Sequence, residues 1–202
     1  MPLAGTPIPP VGRPLALAST STHLRTTEGD PMTGPTRPLP AERADLLESL
    51  TTHRNFLRFT VRDLTDEQAT QRPTASALTL AGLIKHVAGT EAAWVRFIEG
   101  GPEAMSGDWS PEAWEREWRL EPGQTLASVL DDYAAVAAHT DELVASVPDL
   151  DVSHPLPVAP WFPPDAVRSA RRVFLHIIAE TSQHAGHADI LRESIDGQKT
   201  MG

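Results

Sequence analysis

The sequence predicts an all-α protein, a four-helix bundle with long crossover connections and no sheet. Four segments of about 20 to 25 residues repeat apolar residues at the spacing of one helix face. Proline, glycine and tryptophan are concentrated between these segments, and residues 148–168 contain six prolines and lack helical and strand periodicity. At 202 residues, the chain is long enough for one domain with a sizeable core.

The bundle domain is predicted to span residues 41–202 and to follow a disordered tail, residues 1–40. The tail holds nine of the 19 prolines and has no periodic apolar pattern. It therefore cannot bury enough surface to offset its conformational entropy. Met32 is an alternative start of the native protein, which an intact mass that includes residues 1–31 would exclude.

The first helix is predicted from Pro40 or Ala41 to about Asp63, with proline in its first turn. Its apolar face consists of Leu46, Leu50, Leu57 and Val61, with His53 among them. His53 is a minor candidate for a metal ligand, since a hydrogen-bonded core or edge histidine is more common. A short turn is expected at residues 64–67.

The second helix is predicted over about Thr79–Glu99, and Thr79 or Ser76 can serve as its N-cap. One stripe of this helix combines large apolar residues with a histidine: Leu83, His86, Thr90, Trp94 and Phe97. A histidine on an inward face needs a partner, which makes His86 a candidate ligand. Glu91 lies about 140° from His86 around the helix axis and is a weaker alternative.

The third helix is predicted over about Thr125–Val147. Its buried side consists of Leu126, Val129, Leu130, Tyr133, Val136, Ala137 and Leu143. His139 lies beside Asp141 and Glu142, which indicates a solvated histidine.

Two long connections flank the third helix. The first, residues 100–123, contains Trp109, Trp114 and Trp118. We expect these rings to pack on one end of the bundle, which is more common than covering the mouth of a pocket. The second, residues 148–168, is predicted to be an irregular loop from which Trp161 and Phe162 could reach over a site.

The fourth helix, Arg171–Ile195, places polar groups in line with an apolar stripe. The stripe consists of Val173, Ile177, Ala188 and Leu191. His176, Glu180, His184 and His187 fall within a sector of roughly 80° on the same face. Burying them is costly unless something satisfies them. A divalent metal would do so, because Glu180 and His184 at i, i+4 can both reach one ion; the alternative is a wet groove.

His86 on the second helix is the natural third ligand for this pair. The predicted metal site is therefore His86, Glu180 and His184, with His53, Glu91 and His176 as the alternatives. Three protein ligands leave one position open, as in catalytic zinc sites. The HExxH signature of zinc proteases is absent from the chain.

Composition narrows the classes of function. The net charge of −10 argues against a nucleic-acid partner. No apolar run is long enough to span a bilayer, so no membrane partner is expected and a cytoplasmic location is predicted. The chain has no cysteine, so any thiol chemistry requires a thiol from outside the protein.

Two segments carry a family resemblance: LAGLIKHVAGTEAAWVRF from Leu80 and HIIAETSQHAGHADILRESIDG from His176. Over about residues 42–197 the chain resembles the actinobacterial branch of the DinB/YfiT-like metalloenzyme superfamily. Many relatives have histidine where this chain has Glu180, and the mycothiol-dependent maleylpyruvate isomerases are similar in using a His, Glu, His set. The resemblance implies that His86, Glu180 and His184 hold the metal, and it implies no role for His187.

These observations predict a metal-dependent enzyme that activates a low-molecular-weight thiol of the mycothiol type for S-transfer or isomerisation of a small electrophile. Zinc is the first choice, and nickel or iron also suits two imidazoles and a carboxylate. His187 is predicted to be catalytic, as a proton shuttle or a hydrogen-bonding group. The alternatives are a metal-dependent hydrolase and a non-catalytic bundle that binds a metal or ligand. The choice between monomer and homodimer stays open.

Overall fold

The fold is that of a computed structural model, which describes residues 39–105, 107–108, 110–159 and 161–200. Along the chain the elements are α1 (Ala41–Phe59), α2 (Asp66–Ala69), α3 (Leu80–Ala104), α4 (Pro111–Glu117), α5 (Leu126–Ser146), β1 (Ser153–Pro155), β2 (Val167–Ser169) and α6 (Ala170–Asp196). The predicted disordered tail lies outside the described residues, except for Leu39 and Pro40.

The four long helices pack in a ring. Helix α1 contacts α6, α6 contacts α3, α3 contacts α5, and α5 contacts α1. Each helix therefore has two neighbours, which is the arrangement of a four-helix bundle. The predicted all-α, DinB-like fold is confirmed. None of the helices described is long and apolar enough to cross a membrane.

Hydroxyl side chains begin three of the long helices. Thr79 accepts a hydrogen bond from the Gly82 amide, Thr125 from that of Ser128, and Ser169 from that of Arg172. Each satisfies an amide that lacks a partner in the first turn. Of the two predicted N-caps of α3, Thr79 is the one used.

Most residues of the predicted apolar faces are buried in the core, although Leu130, Val136 and Leu143 of α5 are only half-buried. Leu46, Leu50, Leu57 and Val61 are buried as expected. Arg54 and Thr60 are the polar residues buried among them, whereas His53 is half-buried. The guanidinium of Arg54 pairs there with buried Glu91 of α3 and with Asp141 of α5.

The prediction of no sheet was wrong. Strands β1 and β2 pair antiparallel, with His154 opposite Arg168. Each strand has three residues, too few for an alternating pattern to be visible in the sequence. Strand β2 leads directly into α6, so this pair fixes the point from which α6 starts.

Short helices also occupy segments that were predicted to be irregular. Helix α2 replaces the expected turn at residues 64–67, and α4 lies within the connection of residues 100–123. Helix α3 runs past its predicted end at Glu99, with a kink at Gly101, where φ is 73° and ψ is −161°. A positive φ favours glycine, and a Cβ atom there would lie 3.2 Å from Nδ1 of His154.

Candidate metal centre

The predicted ligands come from two helices that pack against each other, α3 and α6. Glu180 and His184 lie one turn apart on α6, beside the buried residues Ile177 and Thr181. His86 faces them from α3. Both histidines are buried, and Glu180 is half-buried.

The donor atoms of these three side chains converge. Oε1 of Glu180 lies 3.2 Å from Nε2 of His184 and 3.5 Å from Nε2 of His86. Within the described residues this is the one group of at least three histidine, aspartate or glutamate side chains whose donor atoms all lie within 4.8 Å of one another. Atoms that bind one zinc ion at tetrahedral angles are about 3.3 Å apart. The two distances from the Glu180 oxygen are close to this spacing.

Electrostatics keep Glu180 ionised. Hydrogen bonds from His184 and His86 hold the pKa of the Glu180 carboxyl far below its ordinary value, although burial opposes this. For His86, burial lowers the pKa, but the nearby carboxylates of Glu117 and Glu180 outweigh burial, so that the pKa is raised. A cation at this position, either a proton on imidazole or a metal ion, therefore stabilises the cluster.

The second nitrogen of each imidazole also has a polar neighbour. Nδ1 of His86 is buried without a hydrogen bond and has Oε2 of Glu117 at 3.5 Å. Nδ1 of His184 lies 3.3 Å from Nδ1 of His187. Histidines that bind metals usually donate their other N–H to such a group, which fixes the orientation of the ring. Glu117 is placed to do this for His86, and His187 for His184.

Two tryptophans cover His86, contrary to the expectation that the rings of this connection pack on the bundle end. Trp118 stacks on the imidazole at 3.7 Å between ring centroids and an interplanar angle of 19°, and Trp114 approaches edge-on at 6.1 Å. Trp114 belongs to α4, and Trp118 directly follows the last residue of this helix. Trp109 lies outside the described residues.

Residues of helix α3 fix the position of the segment that carries Trp114 and Trp118. A Cβ atom on Gly82 would lie 2.0 Å from the carbonyl oxygen of Trp118, so the close approach requires glycine. One turn later, Nζ of Lys85 donates hydrogen bonds to the carbonyls of Arg116 and Arg119. Gly82 and Lys85 therefore hold the end of α4 against the same helix that carries His86.

A cleft of about 470 Å³ opens beside the candidate ligands. It is lined by His86, Gly89, Thr90, Ala93, Trp94, Met105, Trp114, Glu117, Trp161, Phe162, Arg168, His176 and Glu180. Trp161 and Phe162 thus reach over the site, as the sequence suggested. The size and the aromatic walls suit a small organic molecule.

The sequence profile of one protein family, described as mycothiol-S-transferase, matches residues 45–197. The chain belongs to the mycothiol-S-transferase family. No curated protein sequence matches it. Among solved structures, a conserved protein from Enterococcus faecalis is similar, with a TM-score of 0.55 and 15% identity over 77% of this chain and 97% of that one. At that identity the similarity concerns the fold alone.

The alternative ligands do not join the cluster in this member of the mycothiol-S-transferase family. His53 packs edge-on against Phe56. Glu91 accepts hydrogen bonds from Arg54 and Thr140 in the core. His176 lines the cleft with its ring 5.0 Å from that of Trp94, and burial and the charge of Arg168 lower its pKa.

His187 is half-buried, and its contact is with His184 rather than with the cleft. Two further residues, Glu117 and Arg168, were not singled out in the sequence. Both lie in connections whose path over the bundle leaves no periodic signal. The sequence does indicate that a segment such as the one carrying Glu117 approaches α3. Glycine inside a helix is unfavourable, so Gly82 indicates that another segment packs closely there.

Proposed function

We propose that this member of the mycothiol-S-transferase family binds a divalent metal ion through His86, Glu180 and His184 and transfers the sulfur of mycothiol to a small electrophile. The observation that carries the proposal is the convergence of two imidazole nitrogens and one carboxylate within 4.8 Å on the wall of an aromatic cleft. Family membership over residues 45–197 supplies the class of reaction.

The residues present fit a metal ion. Two imidazoles and one carboxylate are a donor set that zinc, nickel and iron all accept, and zinc is our first choice. The neighbours of both Nδ1 atoms supply the outer contacts that such ligands need. A divalent ion held there would act as a Lewis acid that lowers the pKa of a coordinating thiol.

Side chains around the candidate ligands orient the imidazoles and line the space for the two reactants. Glu180 offers a negative charge between the two imidazoles, while Glu117 and His187 hold the rings in position. Trp118 stacks on His86, and Trp114 and Trp161 line the cleft, so that water is displaced when the electrophile enters. Because the chain has no cysteine, the nucleophilic sulfur belongs to the co-substrate.

For His187, the geometry supports a positioning role in place of the predicted catalytic one. Its Nδ1 atom faces Nδ1 of His184, and proton transfer to a reactant would require an atom in the cleft. We place the activity in the cytoplasm, where low-molecular-weight thiols are kept reduced.

Thiol dependence tests the proposal. The metal-loaded protein is mixed with monochlorobimane, which becomes fluorescent on forming a thioether, together with mycothiol, glutathione or no thiol. We expect a rate above the uncatalysed reaction with mycothiol only, and loss of this excess in His184→Ala but not in His139→Ala, which changes an exposed histidine.

Two outcomes would contradict S-transfer. Thiol-independent turnover of ester or amide substrates would indicate a metal-dependent hydrolase. Binding of metal and mycothiol with no turnover of a panel of electrophiles would indicate a non-catalytic bundle.

A further inference from the structure

An arginine without an acidic partner lies in the cleft. The guanidinium carbon of Arg168, on β2, lies 4.7 Å from the ring centroid of Trp94 and 5.5 Å from that of Phe162. Its Nη1 atom is buried without a hydrogen bond, and among the residues described no carboxylate pairs with it. A buried charged donor needs an acceptor, and an anion that enters the cleft would supply one.

The charges near Arg168 favour an anion as well. Arg172, one turn into α6, is the charged residue whose field acts on Arg168, and together with burial it lowers the pKa of the guanidinium. An acidic neighbour would instead raise the pKa of the guanidinium. The acidic residues of the cleft, Glu117 and Glu180, are grouped instead around His86.

The position of Arg168 connects it with the proposed reaction. Arg168 and Glu180 line the same cleft of about 470 Å³, with His176 also on its wall. A small molecule in this cleft can therefore contact the guanidinium at one end while its reactive carbon faces the candidate metal ligands. A planar guanidinium between aromatic rings matches the two oxygens of a carboxylate, which it can bind through two parallel hydrogen bonds.

We propose that Arg168 is an anion-binding residue and that the electrophilic co-substrate of this protein carries a carboxylate. The inference rests on the proposed S-transfer, and it deepens that proposal by naming the substrate class. Mycothiol has neither a carboxylate nor a phosphate, so the anion must belong to the other reactant. In the reaction the sulfur bonds to the electrophilic carbon as the leaving group departs with its electron pair, and the thiol proton passes to solvent.

A matched pair of electrophiles tests the assignment. 4-(Bromomethyl)benzoate and 4-(bromomethyl)benzamide differ in the carboxylate and share the benzylic carbon from which bromide leaves. With metal-loaded protein and mycothiol, we expect kcat/KM to be about 10- to 100-fold higher for the benzoate, after correction for the uncatalysed rates. Arg168→Met removes that preference by slowing the benzoate alone, and Arg168→Lys keeps part of it.

Lys199→Met is the control, because it removes an exposed positive charge that lies beyond the far end of α6 and does not line the cleft. It should leave the preference unchanged. Equal kcat/KM values for the two electrophiles in the wild-type protein, or an equal loss for both in folded Arg168→Met, would overturn the assignment while leaving S-transfer intact.

A binding measurement separates this inference from the proposed function. Calorimetry with the unreactive 4-methylbenzoate and 4-methylbenzamide needs neither mycothiol nor turnover. We expect the benzoate to bind the wild-type protein at least about tenfold more tightly than the benzamide, and Arg168→Met to lose this difference. If neither electrophile is turned over but this difference is found, the anion site stands and S-transfer fails. If the benzoate does not bind more tightly than the benzamide, the anion site fails.

Discussion

At the scale of single residues, the candidate ligands should control metal content. We expect His86→Ala or His184→Ala to reduce the metal that co-purifies with the protein to near zero, because two donors hold an ion far less well than three. His139→Ala, on the exposed surface, should retain it. Elemental analysis by mass spectrometry measures the metal, and far-ultraviolet circular dichroism checks that the variants remain helical.

Glu180 gives a finer test of the same site. Glu180→Ala should weaken metal binding, whereas Glu180→His should preserve it, since an imidazole can replace the carboxylate as a donor. Full metal occupancy in the double variant Glu180→Ala/His184→Ala would place the ligands elsewhere.

The candidate ligands could be read from the sequence because they lie on long helices. Helical spacing alone places Glu180 and His184 on one face of α6, and the inward stripe of α3 predicts the orientation of His86. Glu117 and Arg168 could not be found in this way. Both depend on the path of a connection over the bundle, which is set by packing contacts far apart in the sequence.

At the scale of elements, Gly82 should determine how α4 lies on α3. A methyl group on Gly82 would overlap the Trp118 carbonyl, at 2.0 Å, and should destabilise the protein by about 1–3 kcal/mol, as overpacking does. The control is Gly89→Ala on the same helix, where a Cβ meets no atom within 4 Å. This change should be neutral or stabilise by up to about 1 kcal/mol. Urea denaturation measures both.

Tryptophan fluorescence should report a displacement of the end of α4 from α3. Gly82→Ala is expected to shift the emission as Trp118 leaves the face of His86, whereas Gly89→Ala should leave the spectrum unchanged. Equal stability and identical spectra for the two variants would show that the end of α4 is not held by close contact with α3.

Long and short elements differ in how far the sequence predicts them. The four long helices were predicted because each repeats its apolar pattern over several turns, and Thr79 was recognised as a possible N-cap of α3. Helices α2 and α4 and the two strands are shorter than the window in which periodicity can be seen. Their conformations depend on the bundle against which they pack.

At the scale of the whole molecule, a buried ion pair joins three helices. Arg54 of α1 and Glu91 of α3 are 4% and 1% exposed, and Arg54 also binds Asp141 of α5 at 2.7 Å. Glu91→Ala leaves the guanidinium without its buried partner and should destabilise the protein by about 3 kcal/mol. The double variant Arg54→Met/Glu91→Leu should recover most of this loss, because no buried charge then remains unpaired. Urea denaturation of Arg54→Met, Glu91→Leu and the double variant tests this, and additive losses would contradict it.

The last prediction concerns how the metal and the fold depend on each other. Because the proposed ligands come from α3 and α6, an ion bound by all three stabilises only the packed arrangement of these helices. Ligand binding to the native state raises its stability by mass action, by about 4 kcal/mol at a thousand times the dissociation constant. Chelation should therefore lower the melting temperature, and readdition of metal should restore it.

Acid should also lower the melting temperature, since protons displace metal from imidazoles near or below the ordinary histidine pKa of about 6.5. For the chelation experiment, His86→Ala serves as the control. This variant should bind no metal, so chelation should leave its melting temperature unchanged. Metal content, activity and the melting curve, measured on one sample across pH, should therefore fall together. Loss of metal and activity with an unmoved melting curve would show instead that the bundle is rigid without the ion and that the metal serves catalysis alone.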